Sequence, residues 1–143
     1  MSSTVHGATE RPPLLRSVVA TQAALLAAFA VVVALWVGRM AVAGVGPEEM
    51  RTGAYDPKDL VPFGLSGANP LTWLYGAVSL RYLAGLAAGP LLAVYSVVLL
   101  AGSRPAMSRR TLRVLLGLTV GAVLVTALRF APIGTDMQRW WLD

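Results

Sequence analysis

Three stretches of this chain run without a charge for long enough to set its solvent. They extend from Ser17 to Val37, from Tyr82 to Ala101 and from Val114 to Leu128. The first two hold about 20 residues each, and at ~1.5 Å of rise per residue each matches the roughly 30 Å of a bilayer core. The third holds about 15 residues between Arg113 and Arg129, and crosses if both arginines reach outward to the headgroups. Burying three all-apolar helices in water would need a larger protein than 143 residues can wrap around them. Only 13% of the chain is charged, which agrees with membrane insertion.

The sequence offers a competing reading of its first run. Ala41-Val42-Ala43 imitates the small-residue cleavage pattern of a signal peptide. The run is about 21 residues, however, where signal h-regions hold about 7–15, and Arg39 stands before the site. An uncleaved span is the expectation.

Charge then threads the spans. The connection SRPAMSRRTLR carries Arg104, Arg109, Arg110 and Arg113 with no acid, and the N-terminal tail carries Arg11 and Arg16 against Glu10. The long connection between the first two spans contains Glu48, Glu49, Asp56 and Asp59 against Arg51 and Lys58. The positive-inside rule is satisfied by one arrangement. The expected fold is an all-α integral membrane protein of three transmembrane helices, N-terminus inside and C-terminus outside, forming a single membrane domain over residues 1–143. Its spans fall at about 17–38, 80–102 and 111–131, with an outer loop at about 39–79 and a cytoplasmic loop at about 103–110. The net charge of +5 follows from these flanking residues and gives no reason to invoke nucleic acid.

Arg39, Arg81 and Arg129 each fall at the outer end of a span in this threading. They are boundary residues first, because an arginine at a helix end can reach the headgroups. Three packed helices would bring them to one rim. Trp36, Trp73, Trp140 and Trp141, with Tyr75 and Tyr82, fall at the same end, whereas the cytoplasmic side has no Trp or Tyr. Arg39, Arg81, Arg129, Trp73, Trp140 and Trp141 are therefore the candidate residues for binding a partner or lipid.

In the outer loop, prolines and glycines leave little room for regular structure before Asn69. Asn69-Pro70 is a helix start, so the spacing predicts a helix over 71–80. It either lies on the interface or extends the second span, with a bend or a protrusion near Gly76 to Arg81. Gly134 is expected to end the third helix, and the tail after it to form one interfacial turn. Pro90 is expected to kink the second span.

Small residues recur every four positions on all three spans. Gly85 and Gly89 form one pair, Gly117 and Gly121 another, and Ala20, Ala24 and Ala28 repeat the spacing on the first. Such rows let helix backbones approach closely in lipid, within one chain or between chains.

The chemical inventory is short. No Asp, Glu, Lys or His lies inside a span, which argues against a proton pump or ion-coupled carrier. There is no cysteine, and the single histidine, His6, is in the tail. No metal-ligand spacing, nucleophile elbow or phosphate loop occurs, so no catalytic residue, metal or cofactor is assigned. Asp56 and Asp59 read as a solvated loop face rather than an acid–base pair. The expected role is a non-catalytic accessory subunit of a larger complex in the cell membrane, its composition suggesting a bacterial inner membrane. Its partners would be lipids and a larger membrane protein or further copies of itself. An oligomeric small transporter or channel component is one alternative. An outer-leaflet protein or enzyme that binds anionic lipid is another, because arginine forks suit phosphate.

Overall fold

A computed structural model describes residues 13–103 and 107–143. His6, Glu10, Arg11 and Arg104 lie outside the described residues. The described chain is helical and without strands. It orders as α1 (Pro13–Ala43), α2 (Pro47–Met50), a 3-10 turn (Pro57–Leu60), α3 (Pro70–Ser103), α4 (Arg109–Phe130) and α5 (Pro132–Leu142). Three of these helices, α1, α3 and α4, are long and apolar enough to cross a membrane.

The helix ends follow from local chemistry. Asn69 caps α3: its Oδ1 accepts from the Leu71 N–H at 3.0 Å, while its Nδ2 donates to the carbonyls of Pro62 and Gly64 at 2.7 and 2.9 Å. One side chain thus starts the helix and ties down the loop before it. Ser108 caps α4 by accepting from the Thr111 N–H. Ala131 adopts an extended conformation before Pro132, which stops α4 and starts α5.

Residues 70–103 form one helix that contains Pro90, so the stretch 71–80 continues the second span, one of the two expected arrangements. One expectation is corrected. Gly134 does not end α4. It lies buried inside α5, where an added β-carbon would stand 2.0 Å from the Leu128 carbonyl oxygen. Its role is close approach of two backbones.

With 31 and 34 residues, α1 and α3 are roughly 46 and 51 Å long, whereas the 22 residues of α4 reach only about 33 Å. The three pack against one another, and the extra length of α1 and α3 projects past the end of α4. The tail fills the space so left. In α5 the buried residues Gly134, Met137, Trp140 and Trp141 lie on one face, at helical spacing. That face closes onto α1, α2 and α3 and forms a cap.

The core accordingly has two parts. At the cap it contains Phe29, Val32, Trp36, Met50, Tyr82, Met137, Trp140 and Trp141. At the opposite end, near the hairpin joining α3 to α4, it contains Leu15, Val18 and Leu115, flanked by Leu99 and Leu100.

Candidate functional site

The candidate arginines do not form one rim. Arg129 turns inward and is only 4% exposed. Its Nη2 donates to the Tyr82 carbonyl at 3.0 Å. Its guanidinium carbon lies 4.4 Å from the centre of the Tyr82 ring and 5.2 Å from that of Phe29. Arg129, Tyr82 and Phe29 therefore share one height, and Arg81 is the next residue on α3. Arg39 stands ten positions beyond Phe29 on α1, roughly 15 Å higher. There it lies over the ring of Tyr55 at 5.6 Å. Arg81 is exposed and pairs with no described residue. Helix length is the reason for the difference: α4 ends where α1 continues.

Even at the centre of a bilayer, an upper bound for a residue at a helix end, a guanidinium costs about 2.5–3.5 kcal/mol on insertion scales. A desolvated cation–π contact returns about 2 kcal/mol, and a hydrogen bond from a charged donor about 1.5–3 kcal/mol. These are of the same order, so the two rings and the Tyr82 carbonyl hold Arg129 without a carboxylate. Gly85 makes the arrangement possible. A β-carbon at Gly85 would lie 3.0 Å from Arg129 Nη2 and 3.8 Å from Leu25. Arg129 Nε and Nη1 have no hydrogen-bond acceptor.

Below Arg129, buried polar groups continue down the bundle. Thr126 and Thr119 donate to the carbonyls four residues back, Ala122 and Leu115. Gln22 of α1 donates to the Leu92 carbonyl of α3 at 3.4 Å, leaving its Oε1 unpartnered. Ser96 is fully buried with an unpaired hydroxyl. Of these four, Gln22 alone joins two helices by a hydrogen bond, while both threonines bond back onto α4. With Arg129, Gln22 and Thr126 also line a cavity of about 20 Å³, enough for one water.

The tryptophans separate as well. Trp73 is exposed and donates to the Gly67 carbonyl at 2.9 Å, pinning the loop to α3. Trp140 and Trp141 are interior. Trp140 donates to the Tyr55 carbonyl, and Trp141 packs against Tyr75 and Tyr82 with ring centres 5.3 and 6.0 Å apart. The sequence grouped these residues with Trp36 at one end of the spans but not inside a core, because the return of α5 onto the bundle is a tertiary event. Reasoning from sequence also missed Phe29, whose ring faces Arg129, and Tyr55, which joins Arg39 to Trp140. Nothing local marks either residue.

The loop acids serve the cap. Asp136 pairs with Arg51 at 3.2 Å, joining α5 to the residue that ends α2. Asp56 accepts from the Lys58 N–H at 2.8 Å and from its ammonium at 3.5 Å, starting the 3-10 turn. The Lys58 ammonium also donates to the Asp143 carbonyl at 2.7 Å, fastening the chain end. Among the described residues, no three His, Cys, Asp or Glu side chains gather as a metal site would require.

The glycine pairs divide between inside and outside. Gly85 meets Arg129 and Leu25, and Gly121 would place a β-carbon 3.2 Å from Leu26. Both serve packing within the chain. Gly117 faces outward with open space where a β-carbon would be, and Gly89 has nothing within 4 Å. No protein-family model, curated protein or solved structure matches the chain.

Proposed function

We propose that the protein is a multi-pass membrane protein serving as a non-catalytic accessory subunit of a larger membrane assembly, in a bacterial inner membrane. The observation that carries this reading is the outward face of α4. Gly117, Val120 and Leu124 follow one another at spacings of three and four, so they form one exposed stripe. The glycine opens a notch that the chain's own helices leave unfilled. A notch beside large apolar side chains suits close approach by another helix, and in lipid such shape-matched packing drives association.

Depth and orientation belong to the same proposal. Arg109 and Arg129 stand twenty positions apart on α4, roughly 30 Å, which is the thickness of the hydrocarbon core. Every described acid lies in the cap or the loops that build it, together with Arg51, Lys58 and Arg139. So many charges need water or headgroups. The hydrocarbon therefore ends near Arg81 and Arg129, and the cap stands above it. The positive-inside rule, applied to Arg109, Arg110 and Arg113, supports a cytoplasmic hairpin and an outer cap.

Photo-crosslinking in native membranes tests this. A crosslinker at Val120 should give one protein adduct of defined mass, and Gly117→Leu should reduce its yield severalfold. The same probe at Leu91, exposed on α3, should give lipid adducts only. Lipid adducts alone at Val120, with a monomer in several mild detergents, would sink the subunit reading. An adduct of twice the chain's own mass would replace it with the homo-oligomeric alternative, a small transporter or channel component.

A further inference from the structure

The cap leaves a groove that the α4 face does not explain. It lies between α1 and α3, has a volume of about 250 Å³, and is roofed by the loop at 60–62. Val31 and Leu35 form one wall, Leu74 and Val78 the other, and Trp141 lines it from α5. No acid borders it. We infer that this groove binds part of one acyl chain, with the adjoining ester, of an anionic glycerophospholipid from the leaflet that surrounds the cap.

Four features converge on that occupant. The first is size: the volume is below the roughly 300–1,000 Å³ of pockets that enclose drug-sized molecules, so it takes a segment of chain rather than a whole lipid. The second is the walls, which are apolar on α1, α3 and the loop alike. The third is Trp141, whose ring lines the groove. Indole rings favour the interfacial level of a bilayer, where acyl chain meets ester. The fourth is charge. Arg39 follows Leu35 by one turn on the same face of α1, and Arg81 follows Leu74 by two turns on α3. The groove is thus flanked along its length by two cations, of which Arg81 has no partner among the described residues and Arg39 has an unbonded Nε. Its height fits too: Val31 and Val78 stand two and four positions above Phe29 and Tyr82, so the groove's lower end opens where the hydrocarbon gives way to ester and phosphate.

Native mass spectrometry of the full chain, equilibrated in detergent with equal phosphatidylglycerol and phosphatidylcholine, tests the inference. One phosphatidylglycerol should be retained, at least fivefold over phosphatidylcholine. Filling the groove with Val78→Phe should lower retention about fivefold, with helix content unchanged. Leu74→Phe, at a more exposed wall position, does the same if the first variant fails to fold. Arg39→Gln combined with Arg81→Gln should leave binding but bring the two lipids to equal retention. Equal retention by the unaltered protein overturns the anionic preference. Undiminished retention in a folded groove-filled variant overturns the site. The α4 face is untouched by these changes, so crosslinking at Val120 should persist in all of them.

Discussion

At the cap, Tyr82 touches Phe29, Trp141 and Arg129, while Trp140, Arg51 and Lys58 tie loops and tail together. At the hairpin end, Leu15, Val18 and Leu115 cluster with Val19, Leu99, Leu100 and Met107, and no aromatic ring joins that cluster. At the proposed depth, the difference follows the solvent. Where helices stand in hydrocarbon, burying a leucine gains little, because lipid is as apolar as the interior. Where the chain rises toward water, aromatic burial and satisfied polar groups both count, and the buried large side chains gather there.

This contrast can be broken by substitution, read as unfolding of purified protein in mixed detergent micelles. The largest effect is expected at Gly134. A leucine there meets the Leu128 carbonyl, a backbone atom that cannot give way, so α5 should undock and the cap should lose its cooperative transition. Next is Trp140→Ala, which empties the cap core and should cost about 3–5 kcal/mol. Gly85→Leu should cost about 1–3 kcal/mol by overpacking against Arg129, whereas Gly117→Leu should leave folding within about 0.5 kcal/mol. If those two glycines proved equal, the division between inner and outer packing would fail. The smallest loss is expected from Arg51→Ala, about 1 kcal/mol or less, because its pair with Asp136 is partly exposed and screened by salt. A larger loss there would mean the cap rests on ionic contacts rather than aromatic ones.

Two of the candidate residues show how far local sequence reaches. Gly85 and Gly117 carry the same signal, a glycine four positions from another, yet one touches a buried guanidinium and the other faces out. The pattern says that a face is narrow, and only the arrangement of helices says what fills it. Arg129 and Arg81 likewise share a place at the end of an apolar run. One points between two rings and the other into the surroundings, because they lie on opposite sides of their helices relative to the bundle axis.

Uncharged run lengths and local caps were enough to mark the helices long enough to span, to within a few residues for α4, and the start of α3 at Asn69-Pro70. Those are one-dimensional properties: the length of an uncharged run against a bilayer thickness, and a cap residue before a proline. Packing between distant segments settles that α1 and α3 outgrow α4, that the tail returns as α5 to fill the resulting space, and that Arg129 lies inside against Phe29 and Tyr82. Each depends on contacts between residues far apart in the chain. No local pattern carries that information, because the partner of a buried group is chosen by which helices meet and at what height.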